Sequence, residues 1–266
     1  MRYRALVSYY GAPFQGWQIQ AHGKTIQGEI EKALYKLYQS KIRIYGAGRT
    51  DSGVHAKTQA FHFDLEKNKI PTENLKSALN ANTSQYISIY HIELCDDSFH
   101  ARYSEHTKTY CYYFDLSKPA DPLYLDRSFA LNHRELNFEH MKEYCKLLCG
   151  THDFKNFCSI QNSTETTVRT IVDTNLSNLS QDKKFHISIK GKGFLQHMVR
   201  IIAGTLIDIG LEKIELEFIK KCLTGFGSRE ELGKTLPAHG LFLERIFYHE
   251  DQFGYNEDRK CHKIEL

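Results

Sequence analysis

Lys41-Ile42-Arg43-Ile44-Tyr45 and Gln59-Ala60-Phe61-His62-Phe63-Asp64 bracket a glycine-rich loop, and both read as strands, the second with period-two alternation. No helix is expected between them. Upstream, Thr25 is a plausible N-cap, and Ile26, Ile30, Leu34, Leu37 and Tyr38 fall at helical spacing on one face. Before that helix, Leu6 to Tyr10 alternates as a strand does until Gly11-Ala12-Pro13 breaks it. Downstream, Pro71 and Leu75 to Leu79 suggest a second helix, and Tyr86 to Leu94, with Ile87, Ile89, Tyr90 and Ile92, a last strand. The order strand, helix, strand, strand, helix, strand is a split βαβ arrangement.

That order recurs. Thr109 to Asp115 reads as a strand, and Asn137 caps a helix carrying Met141, Tyr144, Cys145, Leu148 and Cys149. Val168 to Leu176 and Phe185 to Lys190 are strands, Phe194 to Ile209 is a helix apolar on most sides, and Gly240 to Tyr248 closes the set. The expected fold is therefore α+β, built from two split-βαβ, ferredoxin-like halves at residues 1–104 and 105–266. The doubling rests on element order, because no residue-by-residue repeat is visible.

Composition agrees with a folded chain of this size. The 266 residues are 41% hydrophobic and 25% charged, and 35 Lys and Arg against 32 Asp and Glu leave a formal charge of +3. Disorder, collagen, a small disulfide scaffold and a strongly basic histone-like binder are excluded; a basic groove for a polyanion is not. Residues 1–104 carry 13 Lys and Arg against 9 Asp and Glu, a balance of +4, and residues 105–266 carry 22 against 23, a balance of −1. Differences this small are usually solvated surface, although a face built from the first half could meet phosphates.

The start, Met1 to Tyr10, lacks the apolar run and cleavage site of a signal peptide, and Phe194 to Ile209 is interrupted by His197, Arg200 and Asp208. A cytoplasmic location with no membrane segment is expected. The seven cysteines are scattered and odd in number, which reads as free thiols.

The loop itself, Gly46-Ala47-Gly48-Arg49-Thr50-Asp51-Ser52-Gly53-Val54-His55, has neither the Gly-Lys-Ser/Thr of a phosphate-binding loop nor the third glycine of a dinucleotide fingerprint. It sets a cation two residues before a carboxylate. In a strand-like or turn segment the two can face the same way, so Arg49 could pair with Asp51 and hold it ionised as a nucleophile or base. The plain alternative is an exposed ion pair worth ~0–1 kcal/mol.

Gly48-Arg49-Thr50-Asp51-x-Gly53-Val54-His55 resembles the active-site motif of the TruA family of pseudouridine synthases, which isomerise uridine in transfer RNA. Further matching blocks follow in the family's order. They are Phe14-x-Gly16-Trp17-Gln18, Thr25 to Glu29, Phe99-His100-Ala101-Arg102, Lys108-Thr109-Tyr110, His152-Asp153-Phe154 with Phe157-Cys158, Thr167 to Ile171, Phe194 to Arg200 and Gly240 to Leu243. The segment from Glu250 to Leu266 resembles none of the family's blocks.

The resemblance implies a mainly antiparallel sheet with helices packed on it and a central cleft, no cofactor or metal, and a homodimer acting on the anticodon stem-loop of transfer RNA at positions 38, 39 and 40. No DNA or membrane partner is expected. Asp51 would be the essential carboxylate at the ribose, Tyr110 would stack on the uracil, and Arg200 would pair with Asp51. Arg49 would hold the flipped nucleotide, and Leu243, Arg102 and His197 would contact substrate. Sequence adds one point to this: His197, Arg200 and Gly204 recur on one stripe of an apolar helix, and a buried Arg there should face an acid or a phosphate, with Asp208 and Glu244 as other candidates. Arg2, Arg4, Lys24, Arg102 and Lys192 are candidate phosphate contacts.

Two other readings compete. One is a zinc site from Cys145, Cys149, His152 and Cys158, whose spacing is poor and contains no C-x-x-C. The other is an RNA-binding protein without catalysis, since split-βαβ modules are common in such proteins and fold does not dictate function.

Overall fold

Thr25 accepts a hydrogen bond from Gly28 N, and the chain then turns helical as α1 (Ile26–Tyr38), burying Ile26, Ile30, Ala33, Leu34 and Tyr38. The helix ends at Gln39, whose φ of 55° is left-handed. Full burial of Ile26, Ile30 and Leu34 contributes roughly 1.5–3 kcal/mol each, as an upper bound. The computed structural model describes residues 1–67, 69–132, 135–159, 165–177, 180–181 and 183–249. The segment from Glu250 to Leu266 lies outside the described residues.

Around α1 stand β1 (Arg2–Tyr9), β2 (Ile44–Gly46), β3 (His55–Asp64), α2 (Thr72–Asn82) and β4 (Ile87–Cys95). The rest of the chain gives β5 (His106–Asp115), β6 (Phe129–Ala130), α3 (Phe138–Leu148), β7 (Gly150–Asp153), β8 (Val168–Leu176), β9 (Lys184–Gly191), α4 (Met198–Gly210), α5 (Leu216–Cys222) and β10 (Leu241–Tyr248). All ten strands join one open sheet in the order β4-β1-β3-β10-β5-β9-β8-β7, with β2 on β3 and β6 on β5. The fold is mixed α+β as expected. Pairing is antiparallel except at β10–β3 and β5–β6.

The strand sequence β4-β1-β3-β2 is matched by β10-β5-β9-β8 farther along the sheet. What joins them is the short parallel seam of β10 on β3, with Phe242 opposite His55 and Leu243 opposite Ala56. His55 stacks on Phe242 at 4.6 Å, accepts from Gly11 N at Nδ1 and donates from Nε2 to the Asp126 carbonyl at 3.1 Å. Burial pushes its pKa down to about 4, so the imidazole is neutral and holds that tautomer. Tyr10 donates from the same place to the Asp126 carboxylate.

Two expectations need correction. The helix expected from Phe194 begins at Met198, because His197 adopts a φ of 62° that no right-handed helix can include; Phe194 to Gln196 run as loop. The strand expected from Lys41 begins at Ile44. Strand β7 and helix α5 had no sequence expectation at all. Among the described residues no helix is long and apolar enough to cross a membrane.

Candidate active site

Asp51 sits in a turn between β2 and β3 that closes with Val54 N donating to the Asp51 carbonyl, and Gly53, at φ 79°, supplies the left-handed residue this turn requires. The N-terminal blocks support the turn from behind. Trp17 N donates to the Thr50 carbonyl at 3.1 Å, Gly53 N and the Ser52 hydroxyl donate to the Phe14 carbonyl, and the Tyr9 and Thr50 hydroxyls share a buried hydrogen bond of 2.8 Å. The Phe14 to Trp17 stretch thus holds the aspartate by its backbone.

A guanidinium and an imidazole meet the carboxylate. Arg200 Nη1 stands 3.4 Å from Asp51 Oδ2, and His197 Nε2 stands 3.5 Å from the same oxygen. Arg200 is further held by its Nε, which donates to the Leu236 carbonyl at 2.7 Å. His197 immediately precedes α4 and Arg200 lies in its first turn, at the positive end of the helix. Burial pushes the His197 imidazole down, the charge of Asp51 works against that, and Arg200 adds to it. Asp208 instead faces Lys213 and Glu244 faces Lys57, so of the acids considered for Arg200 it is Asp51 that it meets.

Asp51 and His197 open on a cleft of about 510 Å3. Tyr110 lines it from β5, edge-on to Phe194 at 5.0 Å. Burial, then the nearby Tyr9 and Asp51, push its phenol above the usual tyrosine range, so it stays protonated. No described residue accepts a hydrogen bond from that phenol. Arg49, Arg102, Lys108 and Lys192 also line the cleft, and among its described lining residues Asp51 is the one carboxylate. A groove of that sign attracts a polyanion.

In sequence Lys108 stands only as part of the Lys108-Thr109-Tyr110 block, with no role of its own, because a lysine at the start of a strand reads as solvated. It stands two residues before Tyr110 on the same face of β5, and its Nζ donates to the Ala47 carbonyl at 2.9 Å. Burial, helped by Arg102, pushes its pKa down to about 8.

The remaining expected residues are brought together in part. Arg49 is exposed at the cleft mouth and forms no ion pair with Asp51 or any other described acid; in a turn, residues two apart diverge. Leu243 is fully buried opposite Tyr110 on β10 and does not line the cleft; Leu241, two positions earlier, does. Arg102 and Lys192 lie at the cleft, Lys192 beside Glu105 at 3.3 Å. Arg2 pairs with Asp64 and Arg4 with Glu93, and Lys24 is exposed away from the cleft. His197 does not share a helical stripe with Arg200 but precedes the helix, and it reaches Asp51 all the same.

The four zinc candidates do not converge. Cys145 is buried on the inner face of α3, Cys149 contacts the Cys145 carbonyl and Thr174, His152 Nε2 meets the Cys149 carbonyl, and Cys158 donates to the Lys155 carbonyl. Among the described residues no three His, Cys, Asp or Glu side chains gather as a metal site.

Residues 5–104 and 144–249 match the family described as tRNA pseudouridine synthase. The chain is 41% identical over 250 residues to the tRNA pseudouridine synthase A of Bacillus subtilis (strain 168), covering 93% of this chain and 99% of that one. It is 41% identical to that of Listeria monocytogenes serotype 4a (strain HCC23), with 93% and 99% covered, and 39% identical to that of Streptococcus uberis (strain ATCC BAA-854 / 0140J), with 94% and 99% covered. With these matches covering most of the chain, and the family model's segments including Asp51 and Arg200, the chain belongs to the tRNA pseudouridine synthase family.

Proposed function

We propose that the protein is an isomerase that converts uridine to pseudouridine in transfer RNA, at positions 38, 39 and 40 of the anticodon stem-loop. The observation that carries the reading is a single carboxylate, Asp51, meeting Arg200 and His197 at a cleft whose other charged lining residues, Arg49, Arg102, Lys108 and Lys192, are basic. The reaction breaks the bond from C1′ to N1, rotates the uracil and joins C5 to C1′. The C5 proton leaves, and no redox change occurs.

Asp51 would act at the ribose, either by adding to C1′ or by removing a ribose proton on a glycal-like route; both need an ionised carboxylate, and Arg200 stands where it would meet that charge. Tyr110, fixed by Phe194, would stack on the uracil. Arg49 would hold the nucleotide once it has left its stack, an extrusion that costs a few kcal/mol and that phosphate contacts offset. Leu241, rather than Leu243, presents the aliphatic surface to the base. In this reading the halves 1–104 and 105–266 share the site: the first supplies Asp51, the second Tyr110 and Arg200.

The protein would work in the cytoplasm as a homodimer whose two subunits contact one transfer RNA, without cofactor. Gel filtration giving monomer alone would remove the dimer from this account. The activity is tested by incubation with unmodified transfer RNA and mapping of pseudouridine. Product is expected at positions 38 to 40 with the wild type and none with Asp51→Asn, which should still bind RNA. RNA binding by both with product from neither would favour a binding protein on the same fold.

A further inference from the structure

Outside the cleft, four rings form a continuous stack. Tyr45 lies flat on His62, with centroids 5.0 Å apart and planes 17° apart; His62 meets His100 edge-on at 4.5 Å, and His100 lies against Tyr103 at 4.3 Å. The last ring is open: Tyr103 is 75% exposed. It occupies the turn between β4 and β5, and that turn is fixed. Tyr103 N donates to the His100 carbonyl, Arg102 N to His100 Nδ1, and His100 N to the Ser104 hydroxyl, each at 3.0–3.1 Å.

Both ends of the stack abut the cleft through the chain, since Gly46 follows Tyr45 and Arg102 precedes Tyr103, and both Gly46 and Arg102 line the cleft. The Arg102 guanidinium lies 6.0 Å from the Tyr103 ring centroid. A large aromatic face turned to water contributes little to folding, whereas a rigid ring beside a cation suits a nucleotide. The base would stack on the ring and the phosphate would meet the guanidinium. Burial holds His62 and His100 below the ordinary imidazole range, so the interior of the stack carries no added charge.

We propose that the outer face of Tyr103 is a stacking site for an unpaired nucleobase of the RNA whose target uridine enters the cleft, with Arg102 meeting the phosphate between the two nucleotides. This rests on the reading of the cleft as a transfer-RNA site. Every base offers a π-face, so the site would accept any of the four.

The test uses the full-length protein, unmodified transfer RNA, and the variants Tyr103→Ala and Tyr103→Phe. Tyr103→Ala should raise KM about tenfold with kcat changed less than twofold, and Tyr103→Phe should restore KM, since stacking needs the ring and not the hydroxyl. The melting temperature should not move. RNA carrying 2-aminopurine beside the target should lose fluorescence on binding the wild type and keep it with Tyr103→Ala. An unchanged KM together with unchanged quenching at every labelled position overturns the proposal. So does a Tyr103→Ala protein that alters the oligomeric state but not KM, which would make the face a protein interface. Should the wild type bind RNA without converting it, the reading of the cleft falls, and the quenching still decides for Tyr103.

Discussion

Arg200 reaches Asp51 across 149 positions of chain, Nη1 to Oδ2 at 3.4 Å, while its Nε is bound to the Leu236 carbonyl at 2.7 Å. One guanidinium is thus anchored by backbone on one side and free to meet a carboxylate on the other. Arg200→Met removes both contacts. Misplaced reacting groups lose roughly 10²-fold in rate, so kcat should fall by about that factor with KM little changed. An unaltered kcat would mean that His197 alone suffices for Asp51.

Lys108 gives the account a pH dependence. With its pKa depressed to about 8, the free protein loses the ammonium as pH rises through about 8, and with it one cleft cation. KM for transfer RNA should rise above about pH 8, and Lys108→Arg, which keeps its charge, should flatten that rise. In folding the sign is opposite. The unfolded chain holds the Lys108 proton up to about 10.5, so below about 8 the folded state bears the full cost of burying the charge. This group's contribution to stability should grow as pH goes from 8 to 10.5, seen as a smaller melting-temperature loss than in Lys108→Met over that range.

Gly204 marks a close approach within the site's support. A Cβ at this position would lie 1.9 Å from the Lys234 carbonyl, in the segment that carries the Leu236 carbonyl to Arg200. Gly204→Ala would gain about 1 kcal/mol of helix propensity and lose about 1–3 kcal/mol to overpacking. A lower melting temperature, by a few degrees, and a lower kcat are expected. A rise in melting temperature would contradict the contact.

Much of this was legible in the chain. The alternation from Gln59 to Asp64 and the N-caps at Thr25 and Asn137 are local signals, and the structure follows them. An arginine within the apolar run of α4 called for an acid or a phosphate opposite it, and Arg200 faces Asp51, the carboxylate of the family motif. What sequence could not show depends on contacts remote in the chain or on single dihedrals. The apolar run from Phe194 reads as helix, yet the left-handed His197 turns its first residues into cleft wall. Lys108 has its depressed pKa because the fold buries it and brings Arg102 near, contacts that no local pattern shows. Leu243 and Leu241 share one face of β10, and only the depth of the sheet decides which of them meets the cleft.

Joining C5 to C1′ expels the C5 hydrogen, so release of tritium from transfer RNA labelled at uridine C5 follows the isomerisation itself. The wild type should release tritium in proportion to the pseudouridine formed, and Asp51→Asn should release none while binding the same RNA with comparable affinity. Equal release by the two proteins would contradict the assignment of Asp51 as the carboxylate that acts on the ribose.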